Sequence, residues 1–350
     1  MELTQLQIQK LQELSTRLHW IKIGEDGIPE LYLDNHMLQT FRMCQSRFYE
    51  DFVNGRRSKG GRVWFLDFGS LFHDRVEAYY IYRSNKNFDV FKWATDDSAE
   101  AWDYRDMEYF RDKHKGFDDI GGKLGFCALL IQYASVFGLE NERFKTVGAE
   151  LYFGKGKEVP ILLDSSFLGF RIYLCGKIDL LMDDGVSIGP MDHKTKGHFR
   201  GISPAVDFEI QDGMTGYVYA AQKLIQSPMN ELEFRGRKAN KIWMNVVQVK
   251  PEKDYTKRFA RIPLWKTDYQ LEQYRHRQIS TVKQIVDLIT IPGLIPTMNT
   301  MACTNYMHQT CFYQNAHRQN SRESYFTIIN SEFDTDPTKI WDPEKALVME

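Results

Sequence analysis

Residues 176–196 read Gly176-Lys177-Ile178-Asp179-Leu180-Leu181-Met182-Asp183-Asp184-Gly185-Val186-Ser187-Ile188-Gly189-Pro190-Met191-Asp192-His193-Lys194-Thr195-Lys196. Asp183-Asp184-Gly185 is a hairpin turn signal, and the apolar runs on either side predict its two strands, 168–182 and 186–195. Side chains alternate along a strand, so Asp192 and Lys194 share one face and His193 points away. Pairing across the turn brings the Asp179 carboxylate near that of Asp192. Two carboxylates with a single lysine between them repel, and a divalent cation resolves the conflict. Hard oxygen ligands suit Mg²⁺ or Mn²⁺. A lysine beside such an ion can orient or help deprotonate a water for in-line attack on a phosphodiester. An acid-x-Lys triplet by itself is most simply a cross-strand salt bridge. The second acid, across a well-formed turn and within strands that read as buried, favours the metal.

Around this hairpin the chain changes texture. Upstream it reads as helices: 3–17, then about 35–53 capped by Asp34 or Asn35, then 69–83, and mainly helix over 84–146 with loops at 96–97 and 115–122. Residues 24–29 form a polar turn, and 54–62 a basic loop. Residues 147–153 alternate as a strand. Downstream, Ser203-Pro204 opens a helix of about twenty residues, 241–250 is a strand, and 268–289 is a long helix. The order implies an α/β fold, a small mixed β-sheet flanked by helices.

The chain has 350 residues, 43% hydrophobic and 26% charged, which excludes a disordered or fibrous protein. No apolar run reaches the ~18–20 residues of a membrane span, so no membrane partner is expected. The polar, helix-like start is neither a secretory signal nor a transit peptide. Five cysteines are too few for a disulfide scaffold and point to a cytoplasmic setting. Net charge is −2, so bulk charge does not signal nucleic acid. Local charge says more. Arg56, Arg57, Lys59 and Arg62 form one basic group, Lys194, Lys196, His198 and Arg200 a second, and Arg235, Arg237, Lys238 and Lys241 a third. Their convergence on one groove would make a phosphate track; otherwise they are solvated faces.

Asp179 followed by Asp192-His193-Lys194 resembles the core of the PD-(D/E)XK nuclease superfamily in its RecB-like branch, which implies a restriction-endonuclease-like core. Gly69-Ser70-Leu71-Phe72-His73 is similar to the helical histidine motif of that branch, which makes His73 a metal ligand. Glu150 stands where the branch often has a glutamate on the strand before Gly-Lys-Ile-Asp. The following helix normally carries a glutamine shortly before a tyrosine. Tyr217 fits, but Gly213 occupies the glutamine position, with Gln211 nearby.

Cys127 and Cys175 lie in apolar surroundings and read as core residues. Cys44, in Cys44-Gln45-Ser46-Arg47-Phe48-Tyr49, is similar to the Cys-x-x-(Arg/Lys)-Phe-Tyr segment of RecB-like nucleases that carry an iron–sulfur cluster. Those proteins close the chain ends with three further cysteines. Here Cys303, Cys311 and His317 stand in that place. The set suits Zn²⁺, an iron–sulfur cluster, or a site that has lost its metal.

The resemblance implies an N-terminal helical extension over 1–34, a nuclease domain over 35–325 and a tail over 326–350. Within the domain lie a helical insertion at about 84–146 and a clasp at about 300–320. It implies metal-dependent hydrolysis of DNA ends or single strands in recombination, repair or replication, as in phage and CRISPR-associated relatives, more as an exonuclease than an endonuclease. Asp179, Asp192 and Lys194 would act with Glu150, and a helicase or recombinase could be a partner. The competing readings are a nucleic-acid-binding scaffold without turnover, and a nuclease subunit that needs a partner.

Overall fold

The computed structural model describes residues 3–59, 64–83, 88–95, 121–141, 144–154, 161–163, 168–197, 208, 211–227, 236–299, 311–319, 321–336 and 340–343. In chain order the elements are α1 (Gln5–Ser15), β1 (Ile21–Ile23), β2 (Pro29–Asp34), α2 (Asn35–Met43), α3 (Gln45–Phe48), a π-helical turn (Tyr49–Val53) and β3 (Arg56–Ser58). Then come α4 (Trp64–Tyr82), α5 (Val90–Thr95), α6 (Gly122–Asn141), β4 (Lys145–Phe153), β5 (Ile161–Leu163), β6 (Arg171–Asp183) and β7 (Ile188–Lys196). The chain continues through α7 (Asp212–Ile225), β8 (Lys241–Gln248), β9 (Phe259–Trp265), α8 (Asp268–Thr290), α9 (Gln314–His317), α10 (Arg322–Glu332) and β10 (Phe333–Thr335). The fold is α/β with mixed sheet, as the sequence predicts. The chain divides into two compact units: residues 1–61, 152–177 and 272–350, and residues 62–151 and 178–271.

In the first unit β1 and β2 form an antiparallel hairpin, and β2 runs parallel to the first half of β6, from Glu30 opposite Arg171 to Asp34 opposite Cys175. Residues 1–34 are therefore more than a helical extension. Ile21 and Ile23, then Leu31 and Leu33, alternate about the turn at 24–28, a strand signal that the polar turn overshadows. Asp34 caps α2 through Met37 N at 2.7 Å. The expected helix over 35–53 is interrupted at Cys44, whose backbone is extended (φ −162°, ψ 108°). The expected loop over 54–62 contains β3, which pairs with β10 in a small antiparallel sheet. The expected tail beyond 325 thus begins inside α10.

These last elements are tied to the π-helical turn by one buried and one half-buried carboxylate. Tyr325 donates its hydroxyl to Glu50 at 2.5 Å, and Tyr313 donates to Asp51 at 2.7 Å. Glu50 is only 7% exposed and Asn54 donates to its other oxygen, so losing Tyr325 leaves Oε1 a poorly hydrated acceptor. Tyr325→Phe is expected to cost about 1–3 kcal/mol, seen as a lower Tm by calorimetry. An unchanged Tm would mean that apolar packing alone holds this contact.

In the second unit the end of β6 pairs antiparallel with β7, from Leu180 opposite Met191 to Asp183 opposite Ile188. β7 pairs parallel with β8, and β8 antiparallel with β9, a strand that sequence reading missed. β8 is buried at every position, as a central strand should be. The helices α4 and α6 supply Phe72, Val76, Phe126 and Leu130 to a core shared with Leu180, Met182, Met191 and Trp243. Within the expected insertion at 84–146, α5 and α6 are helical, but β4 begins at Lys145, before the expected end, and Gly122 of the expected loop at 115–122 already opens α6; residues 96–97 and 115–120 lie outside the described residues.

Candidate active site

The hairpin turn is built from its own acids. Asp183 accepts from Gly185 N at 2.8 Å, and Asp184 accepts from Ser187 N at 2.8 Å. Gly185 adopts φ 88°, open to glycine at little cost. The third basic group serves this turn. Lys241 and Arg237 form ion pairs with Asp184 and Asp183. His198, Arg200, Arg235 and Arg62 lie outside the described residues.

With that register, Asp179 and Asp192 lie one step beyond the Leu180–Met191 pair, on adjoining strands. The Lys194 ammonium lies 2.8 Å from Asp192 Oδ1 and 2.6 Å from Oδ2. α4 brings the fourth group: His73 Nδ1 is 3.1 Å from Asp179 Oδ2. Gly69 explains how α4 comes so near. A Cβ there would meet Thr195 Oγ1 of β7 at 3.3 Å, and His73, four residues on, faces the same way. The structure thus gathers His73, Asp179, Asp192 and Lys194.

Their electrostatics separate the two carboxylates. Burial works to raise the Asp179 pKa, but His73, with its Nδ1 3.1 Å away, and then the charge of Lys194 hold it well below the usual range. Asp192 is only 5% exposed, and burial pushes its pKa up; Asp179 adds to the rise, and Lys194 only partly offsets it. Burial acts to lower the pKa of His73 and of Lys194, but the neighbouring carboxylates outweigh it and raise both. Asp179 Oδ2 and Asp192 Oδ2 are buried and receive no properly directed hydrogen bond, although each lies within ion-pairing distance of a cation. This donor set, two carboxylates and an imidazole, fits a hard divalent ion. Among the described residues, however, no three His, Cys, Asp or Glu groups, these or Cys44, Cys311 and His317, are placed so as to hold a metal ion; His73 and Lys194 lie against the acids instead.

A pH dependence follows for the metal-free protein. A histidine whose pKa is raised on folding stabilises fully below its ordinary value near 6.5, and that gain is lost as pH rises through the raised value. In EDTA, the Tm of the wild type is expected to fall above pH 6.5 more steeply than that of His73→Ala. Parallel curves would show that the His73–Asp179 pair contributes nothing to folding.

Glu150 lies half-buried in β4 with φ 51°, the only non-glycine among the described residues in the left-handed region. Such strain is found where structure around a residue over-determines it, often at functional sites. Glu150 is not, however, among the charges that act most strongly on Asp179 or Asp192. Gly213 stands in open space in the first turn of α7, with Gln211 as its N-cap residue. Tyr217 is half-buried on that helix.

Sequence reading missed the support behind His193. That ring is 1% exposed, and burial keeps it neutral. Its Nδ1 lies 3.3 Å from Asn245 Nδ2 and 3.5 Å from the Tyr133 hydroxyl. Asn245 donates to Tyr133 at 2.9 Å and accepts from Arg261 at 2.8 Å, and Arg261 also reaches Tyr80. An asparagine and two tyrosines scattered over separate elements give no motif to find; only Asn245, a polar residue in an apolar strand, hints at it.

The expected clasp residues are only partly visible. Cys44 is buried at the α2–α3 junction, and Cys311 is buried among Tyr313, Ala316, Ile329 and Phe333. The His317 ring stacks on both Tyr313 and Tyr325, and neither of its buried nitrogens has a hydrogen bond. Cys303 lies outside the described residues.

A profile of the PD-(D/E)XK nuclease superfamily matches residues 36–316, and the chain belongs to that superfamily. Membership makes it a nuclease by class. No curated protein matches the chain. Among solved structures it is similar to a Eubacterium rectale protein provisionally named an exonuclease, with 12% identity, 89% of this chain and 95% of that one covered, and a TM-score of 0.42. It is also similar to the protein SSO0001, with 10% identity, coverage of 83% and 95%, and a TM-score of 0.28. Both are distant likenesses. Among the described residues no helix is long and apolar enough to cross a membrane.

Proposed function

We propose that this nuclease hydrolyses phosphodiester bonds of DNA with Mg²⁺ or Mn²⁺, acting from ends or on single strands in the manner of the RecB-like branch. The observation that carries this reading is the buried pair Asp179 and Asp192, with His73 and Lys194 against them at ion-pair distance. Asp179, Asp192 and His73 would hold the ion, which when bound polarises the phosphoryl oxygen and lowers the pKa of water. Lys194, kept protonated by the two acids, orients the attacking water through its ammonium protons. His73 offers a neutral imidazole nitrogen once its proton is released. Glu150 is assigned a supporting place beside these groups, for which its strained backbone speaks.

A cytoplasmic role in recombination, repair or replication fits this chemistry, with a helicase or recombinase as the partner that exposes strands. Cys44, Cys311 and His317, together with Cys303, are the proposed holders of Zn²⁺ or an iron–sulfur cluster; the unbonded, buried His317 imidazole favours this.

Digestion of end-labelled single- and double-stranded DNA with Mg²⁺, Mn²⁺ or EDTA tests the activity. Metal-dependent shortening from one end is expected, and no product in any metal would overturn the reading. A nitrogen ligand favours Mn²⁺ over Mg²⁺ relative to all-oxygen sites. Activity is therefore expected to be higher in Mn²⁺, and His73→Ala to lose that preference. Equal activity of wild type and variant in both metals would remove His73 from the ligand set.

A further inference from the structure

The first basic group in the sequence plays no part in the chemistry above. In the first unit, Arg56 and Arg57 of β3 line a cavity of about 320 Å³ together with Arg47, Asp51, Phe312 and Trp341. Its lining brings three guanidinium groups against one carboxylate. Glu50 lies 3.7 Å from Arg56 and offsets part of that charge, yet an excess of positive charge remains. Arg47 is held by Asp51 at 3.2 Å, and Arg57 donates to the Asp51 and Arg56 carbonyls, so the forks are fixed in place. Phe312 is 53% exposed and lines the same cavity, so its ring is open to a ligand beside these cations.

Guanidinium forks match phosphate oxygens, and an exposed aromatic ring stacks a base of any identity. The volume is at the lower end for small-molecule sites, enough for one nucleotide and too small for a base pair in a duplex. We propose that this cavity takes one nucleotide of a single strand, its phosphate on Arg56 and Arg57 and its base against Phe312. The inference rests on the nuclease reading for the class of ligand, but its claim is about strand binding and not about cleavage.

Fluorescence anisotropy of the full chain in EDTA, with a short labelled oligothymidylate, tests it without any cleavage. The wild type is expected to hold the single strand more tightly than a blunt duplex or free thymidine monophosphate. Phe312→Ala should weaken the single strand about tenfold, and Phe312→Trp should restore it. Arg57→Ala should flatten the plot of log affinity against log salt by about 0.7, and Arg57→Lys should return the slope. Because Phe312 is exposed, its variants leave the fold intact, and a melting curve checks this. Wild-type affinity in Phe312→Ala overturns the proposal, as do equal losses on single strand and duplex, or a free nucleotide that binds as tightly as the strand. Digestions run in parallel separate the two claims. A wild type that binds the strand but cuts nothing overturns the nuclease activity alone, and one that cuts while Phe312→Ala binds normally overturns the cavity alone.

Discussion

Asp192→Asn is expected to lower cleavage of end-labelled DNA in Mn²⁺ by at least about a thousandfold while strand binding stays equal or tightens. The asparagine keeps the shape of the side chain and removes its charge. Asp192 is nearly fully buried, and its raised pKa shows that Lys194 only partly offsets the cost of ionising it there. A divalent ion is the natural counter-charge, so the variant should also bind Mn²⁺ more weakly by calorimetry. If Asp192 stands near the scissile phosphate as proposed, loss of its negative charge removes a repulsion, hence the expected unweakened binding of DNA. Cleavage at the wild-type rate would sink the assignment of Asp192.

Lys194→Ala should cut turnover by about 10²–10⁴-fold with little change in KM, the range set by losing one positioned proton-handling group. The ammonium touches both oxygens of Asp192 and is about one-third exposed, so it can face water and substrate as well as the acid. An interaction made chiefly in the transition state appears in kcat and not in affinity. If instead affinity falls and turnover holds, Lys194 is a phosphate anchor.

The hairpin of Asp179 and Asp192 was legible because its information is local. Turn residues set the register, and strand alternation sets which side chains meet. Lys194 and Asp192 sharing a face follows from that alone. His73 was legible only by resemblance. Its approach depends on Gly69 letting a helix close on β7, a long-range fit that spacing does not encode. The short strands β3, β5 and β10 escaped because three residues carry too little periodicity. β9 escaped for another reason: Pro263 lies within it, and proline argues against a central strand although an edge position in the sheet admits it. The His193 network was illegible because its members come from α4, α6, β7, β8 and β9 and meet only in the folded core.

The hydroxyls of Tyr313 and Tyr325 reach carboxylates 262 and 275 residues earlier in the chain. Such separations delay folding, because most of the chain must be ordered before these contacts reward it. They also set an order of events on the ribosome. Every residue of the second unit has been translated before Tyr313 emerges, so that unit can fold while synthesis continues. The first unit must wait with Glu50 and Asp51 lacking their tyrosine donors, its early segment open to chaperones, until the closing residues arrive. A nascent chain stalled with residue 271 outside the ribosome and Tyr313 not yet emerged would therefore display a protease-resistant second unit beside a sensitive N-terminal segment.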